Sequence, residues 1–189
     1  MKPVPPRVLL IGYGNPGRLD DGLGPALAEA LQKQPIANLG IEADYQLTVE
    51  DAWAAAGHDV VIFADAAVKG AAPFAFRRVD PQGRRPGCGS HSVSPEELAG
   101  LAQELFDART AFYTLAIRGY DFDEFREALS DKARKNLVQA LQFVANVLRE
   151  GNFEMAARHP GPEASDDREL AAAASMACAG ETKEGRNRI

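Results

Sequence analysis

At 189 residues the chain suits one domain with some spare length. Apolar residues make up 46 % and charged residues 25 %, the balance of a soluble globular protein that buries a core without disulfides or a structural metal. The net charge of −6 leaves no basic surplus to neutralise phosphates, which argues against a nucleic-acid partner.

The first seven residues hold three prolines and two basic residues with no apolar run behind them, so no signal peptide is expected. Residues 8–12, Val-Leu-Leu-Ile-Gly, read as a strand buried on both faces. A loop rich in Gly, Asn, Pro and Asp follows to Asp21. From Pro25 the apolar residues Leu27, Ala28 and Leu31 recur at helical spacing, and Pro35 stops the helix. A second strand is expected over 40–47, then a short helix over 50–56 closed by Gly57.

Residues 60–64, Val-Val-Ile-Phe-Ala, form the clearest buried strand and deliver Asp65 at its carboxyl end. A fourth strand over 74–79 follows too soon for a crossover helix, so it is expected to pair antiparallel with the third. Residues 80–92 are a Gly/Pro/Arg-rich loop carrying His91. Ser94-Pro95-Glu96-Glu97 has a Ser N-cap, Pro at the first helical position and Glu closing a capping box, and the helix should run to about Asp107. A fifth strand over 111–117 leads into Arg118, Asp121 and Asp123, which would line a groove or a solvated turn. The last helix starts near Ser130, carries Leu137, Leu141, Val144 and Leu148 on its core face, and ends at Gly151.

This order gives one domain over 1–151 and a C-terminal tail over 152–189 without usable periodicity, expected to be disordered save for a weak helix at 167–178. Strands alternating with helices imply an α/β fold, a mostly parallel sheet covered on both sides, with ligands at the carboxyl ends of the strands. Asp21, Asp65 and His91 can then share one face. The cysteines, Cys88 and Cys178, have no zinc spacing and suit a reducing compartment. No apolar run approaches the length of a membrane span, and the expected location is the cytoplasm. Trp53 and Phe63 are expected in the core, His58 and His159 on the surface, and Arg77-Arg78 and Arg84-Arg85 in solvent.

The first loop admits competing interpretations. Gly12, Gly14 and Gly17 satisfy GxGxxG after a strand, the dinucleotide fingerprint of a Rossmann-like protein. Pro16 interrupts it, however, and Asp20 and Asp21 stand where a pyrophosphate would need a helix N-terminus. Gly-Asn-Pro-Gly also resembles the opening of peptidyl-tRNA hydrolase, but the histidine that family needs soon afterwards is missing.

The third resemblance is the most specific. Residues 12–24, Gly-Tyr-Gly-Asn-Pro-Gly-Arg-Leu-Asp-Asp-Gly-Leu-Gly, are similar to the GxGNxxxxDDGxG signature of nickel–iron hydrogenase maturation endopeptidases. Ile62-Phe63-Ala64-Asp65-Ala66 matches that family's apolar strand ending in Asp, and Ser90-His91-Ser92 its histidine segment ahead of a helix. The similarity runs over about residues 7–150. It implies a three-layer fold with a twisted, mostly parallel five-stranded sheet between helices, of the phosphorylase/hydrolase-like kind. It also implies removal of a C-terminal extension from a hydrogenase large-subunit precursor once nickel has been inserted. The nickel comes with the substrate, and no tightly bound cofactor of the chain's own, no membrane and no further subunit is expected; the protein would be a monomer. Carried over by position, Asp21, Asp65 and His91 are the metal-sensing and catalytic residues.

The chemistry of these side chains agrees. Carboxylate oxygen and neutral imidazole nitrogen suit a divalent metal, and three protein ligands leave positions open for substrate cysteine sulfurs. Two carboxylates around an empty site repel each other and favour a cation. Some members of the family have Glu where this chain has Asp21, which is one methylene shorter. Asp20 is assigned to capping and orienting. A Cys88/His91 thiol pair would need a third positioning group, and the family uses no such cysteine. GxSxG and HExxH are both absent.

Overall fold

The computed structural model describes residues 4–83 and 93–158. In chain order these form β1 (Val8–Tyr13), a 3-10 turn (Leu19–Gly22), α1 (Leu23–Gln32), β2 (Leu39–Asp44), α2 (Asp51–Ala56) and β3 (Val60–Ala67). There follow β4 (Phe74–Arg78), α3 (Pro95–Phe106), β5 (Ala111–Arg118), α4 (Asp131–Glu150) and α5 (Phe153–Arg158). The strands make one five-stranded sheet in the order β2-β1-β3-β5-β4. Its first four members are mutually parallel, and β4 runs antiparallel to β5.

Period-two alternation divides the apolar residues of the central strands between two faces. Val8, Leu10 and Ile62 point into a core shared with α1, α4 and α5. Leu9, Ile11, Val61 and Phe63 point into a second core under α2 and α3. The first of these is tightened by Gly24: a Cβ there would stand 2.3 Å from the Tyr13 carbonyl oxygen and 2.4 Å from that of Ala64. Only glycine lets α1 come so near the ends of β1 and β3.

The helix termini follow the sequence signals. Ser94 accepts from the Glu97 N–H at 3.2 Å and Glu97 accepts from the Ser94 N–H at 3.0 Å, closing the expected capping box of α3. Ser130 caps α4, and Gly151 ends it with φ 70°.

Three expectations need correction. β4 is antiparallel as foreseen, but its partner is β5, with Phe74 opposite Ile117. Both edges of β3 are filled by β1 and β5, so β4 takes the outer edge of β5 instead. Trp53 is not in the core: it is 73 % exposed. The six-residue α2 buries Ala52 and Ala55, and Trp53 falls on its other side.

The folded chain also does not end at Gly151. α5 follows it and packs against β4, with Phe153 buried beside the Tyr113 ring at 5.9 Å between centroids. The Tyr113 hydroxyl donates to Glu154 at 2.9 Å and Arg78 pairs with the same carboxylate, so Arg78 is not merely solvated. Residues 159–189, with the expected helix at 167–178, His159 and Cys178, lie outside the described residues.

Candidate active site

The parallel strands bring β1, β3 and β5 to a common carboxyl edge, where such sheets present ligand-binding groups. β1 ends at Tyr13 and turns through Gly14, whose φ of 132° is in the region open to glycine. A Cβ at Gly14 would stand 2.1 Å from the Asp21 carbonyl oxygen and 3.8 Å from Asp65 Oδ1. The main chain of Asp21 and the carboxylate of Asp65, the two acidic residues named from the sequence, thus meet on the side of Gly14 that a Cβ would occupy.

Among the described residues their partners are few. The Asn15 N–H donates to Asp21 Oδ2 at 3.0 Å, and the Asn15 side chain accepts from the Gly17 N–H at 2.9 Å, holding the turn. Asp65 Oδ1 accepts from the Ala66 N–H at 2.6 Å, and the Tyr13 hydroxyl is within hydrogen-bonding reach of the same carboxylate. Burial pushes the Asp65 carboxyl up to about 6; the Ala66 and Tyr13 hydrogen bonds oppose the rise, and the charge of Asp21 adds to it. Burial likewise raises Tyr13, followed by the negative charge of Asp65, the hydrogen bond to it and the charge of Glu96. A desolvated carboxylate beside a second one lacks positive charge, and a cation would supply it.

Asp20 behaves differently although it is next in the chain. It is fully buried and accepts four hydrogen bonds: from the Tyr120 N–H at 2.7 Å, the Asp121 N–H at 3.0 Å, the Ser130 N–H at 2.7 Å and the Ser130 hydroxyl at 2.8 Å. Burial alone would push its carboxyl up, but these donors together hold it below the ordinary carboxylate value. Asp20 does not cap α1. It ties the first loop to the segment after β5 and to the N-cap of α4.

Arg118 closes the same edge from β5. Its guanidinium donates to the carbonyls of Ala67 and Val68, just beyond Asp65, and lies 4.9 Å from the Tyr120 ring centroid. Asp121 and Asp123 are exposed. His58 Nδ1 donates to Ala54 O at 2.8 Å, and His58 precedes β3, at the end away from Asp65.

His91 and Cys88 lie outside the described residues, as do Arg84 and Arg85. The chain resumes at Val93, whose N–H donates to Leu47 O at 3.3 Å. Glu96, in the first turn of α3, lies near enough to Tyr13 for its charge to act there. Among the described residues no group of three or more His, Cys, Asp or Glu is disposed to hold a metal ion. Asp21 and Asp65 are two of the three donors expected from the sequence.

The dinucleotide interpretation loses its footing here. The Asn15 N–H, a donor that a pyrophosphate would use, is taken by the Asp21 carboxylate, and the 3-10 turn bearing Asp20 and Asp21 stands ahead of α1. Tyr13 is the site residue that motif reading missed. Its signal was available: Leu9, Ile11 and Tyr13 alternate onto one sheet face, as do Val61, Phe63 and Asp65.

No protein-family model and no curated protein matches the chain. Solved structures do. The hydrogenase maturating endopeptidase HybD from E. coli superposes with TM-score 0.57 at 25 % identity, over 77 % of this chain and 94 % of its own. The fold is that of the hydrogenase maturation proteases. The NiFe hydrogenase maturation protease HycI from Thermococcus kodakarensis superposes with TM-score 0.60 at 20 % identity, over 76 % of this chain and 92 % of its own. A hydrogenase 2 maturation peptidase from a Thaumarchaeota archaeon gives TM-score 0.56 at 18 % identity, over 75 % and 97 %. Nearly the whole of each maturation protease is thus matched by about three quarters of this chain. Among the described residues no helix is long and apolar enough to cross a membrane.

Proposed function

We propose that the chain is an endopeptidase that removes the C-terminal extension of a nickel–iron hydrogenase large-subunit precursor, and that it reads the substrate's nickel through Asp21, Asp65 and His91. The observation that carries this reading is the desolvated Asp65 carboxyl, close enough to Asp21 to feel its charge, beside Gly14 at the sheet's carboxyl edge, within a fold shared with hydrogenase maturation endopeptidases.

The chemistry runs from the charge. With no cation present, burial and then the charge of Asp21 disfavour the ionised form of Asp65 and hold its carboxyl up at about 6. A substrate-borne divalent nickel favours the ionised form of Asp65 and offsets its repulsion from Asp21. His91, three residues ahead of the α3 N-cap at Ser94, supplies a neutral imidazole as the third donor. Nickel arrives on the substrate's cysteines, so the chain needs no cofactor of its own and works as a monomer in the cytoplasm. Docking fixes the start of the extension against the strand edge. There a water activated by a carboxylate or by the nickel attacks the scissile carbonyl.

The test is incubation with nickel-loaded and nickel-free precursor, followed by intact mass measurement. Loss of the extension from the nickel-loaded precursor alone is expected. Asp21→Ala, Asp65→Ala and His91→Ala should each slow cleavage by about a hundredfold or more. A nickel-loaded precursor left whole by the wild type rejects the peptidase reading. Undiminished cleavage by all three variants rejects the nickel-sensing triad.

A further inference from the structure

The sheet has two outer edges, and they are treated differently. β4 has α5 packed alongside it, with Arg78 bonded to Glu154. Among the described residues no strand pairs with the outer side of β2. The direction of its hydrogen-bonding groups is fixed by the ladder. Val8 N–H donates to Asn38 O at 2.8 Å and Gly14 N–H to Asp44 O at 3.1 Å, so the even-numbered residues of β2 face β1. Backbone groups alternate along a strand, and those of Leu39, Ile41 and Ala43 therefore point outward.

Two surface grooves flank this edge, one on each side of the sheet. A groove of about 510 Å³ runs from Ala43 between the first loop and α1, lined by Pro16, Leu19, Pro25 and Glu29 among others. A second, of about 450 Å³, opens beside Glu42 and is walled by Trp53, His58 and Phe106. Side chains of a strand added to β2 would alternate between these grooves, the arrangement by which β-addition sites combine main-chain affinity with side-chain selectivity. It also gives the exposed Trp53 a use.

We propose that the outer edge of β2 is the docking strand for the large-subunit precursor, which adds a short extended segment with alternate apolar residues and at least one lysine or arginine as a sixth strand. The choice of partner rests on the peptidase reading; the chemistry rests on the edge. Glu29, Glu127 and Glu42 line the grooves, and neither groove is lined by a lysine or arginine. Glu42 and Asp44 on the strand itself would repel a second copy of the same edge and select a basic partner.

The edge is also continuous with the candidate site, because Asp44 O receives the N–H of Gly14, the residue beside Asp21 and Asp65. At about 4.8 Å per strand the added segment lies ~14 Å from β3, a gap spanned by roughly four or five extended residues. One polypeptide can be held on β2 and cut at Asp65.

The test pairs an exchange measurement with kinetics. In a complex of nickel-loaded precursor with the full-length Asp65→Asn variant, which holds but does not cut, the amides of Ile41 and Ala43 should exchange at least about tenfold more slowly, while those of Gly40 and Glu42 stay as they were. Ala43→Pro, which removes an outward N–H without touching the β1 ladder, should raise KM about fivefold to tenfold with kcat within about twofold. Trp53→Ser, at an exposed position that the fold does not need, should move KM in the same direction. Unchanged exchange at Ile41 and Ala43, or unchanged KM in both variants, overturns the docking strand. Protection that grows with the protein's own concentration, precursor absent, assigns the edge to a second copy and overturns it too. Protection by a precursor that the wild type leaves uncut keeps the docking strand and overturns the peptidase reading alone.

Discussion

Within one short turn, Asp20 is fully buried beneath four donated hydrogen bonds. Asp21, the next residue, and Asp65, at the end of β3, each receive a single main-chain N–H among the described residues. The chemical group is the same and its surroundings set opposite tendencies. Donors from two parts of the chain, the segment after β5 and the N-cap of α4, converge on Asp20, favour its ionised form and lock the first loop onto α4. Around Asp65 burial outweighs the donors, and the neighbouring charge of Asp21 raises the cost of ionisation. The first environment serves the fold. The second is left short of positive charge, the condition in which a group binds a cation rather than stabilises a chain.

The largest test of this contrast is Asp20→Ala. Three N–H groups and a hydroxyl lose their acceptor in a buried place, and the loss should be about 4 kcal/mol. Chemical denaturation at pH 7 measures it. A loss below ~1 kcal/mol would mean that water replaces the carboxylate there and that the loop is not held by it.

The opposite sign is expected at the second environment. The Asp65 carboxyl rises from 3.8 to about 6 on folding, so the folded state binds the extra proton between those values and stability falls as pH rises through that window. Below pH ~4 the group is protonated in both states and costs nothing. Above pH ~6 the full penalty applies, on the order of 3 kcal/mol. Asp65→Asn removes the charge and keeps an acceptor for the Ala66 N–H, so it should stabilise the metal-free protein at pH 7 by about that amount. The gain should vanish by pH ~4, and processing should be lost at either pH. A flat difference between wild type and variant across this range would contradict the desolvated-pair description.

The two environments were unequally legible in the sequence. β1 and β3 could be read from apolar runs ending in Gly12 and Asp65, and the α3 start from Ser94 and Glu97, because these signals are local. The roles of Asp20 and Asp21 could be separated only by family pattern, since the donors to Asp20 lie a hundred residues away. The pairing of β4 was misassigned for the same reason: proximity in the chain favoured β3, while β1 and β5 already occupy both edges of β3. Trp53 was misplaced because hydrophobicity marks a residue for burial without saying which side of a one-and-a-half-turn helix meets the core. α5 was missed because six residues carry too little periodicity; its anchor, Phe153, is a single side chain.

The smallest effect examines how the stable environment is built. Ser130 does two jobs with one hydroxyl, donating to Asp20 at 2.8 Å and accepting the Ala133 N–H of α4 at 3.3 Å. Ser130→Ala removes both but leaves the Ser130 main-chain N–H on Asp20 Oδ1, so the loss should be about 1 kcal/mol, within the usual range for an N-cap. In the Asp20→Ala background the capping part survives and the bond to Asp20 no longer exists. The cost of Ser130→Ala should then fall by roughly half, a coupling that a double-mutant cycle reads directly. Strict additivity would mean that the loop and the helix cap are stabilised independently, and the lock between them would be geometric without being energetic.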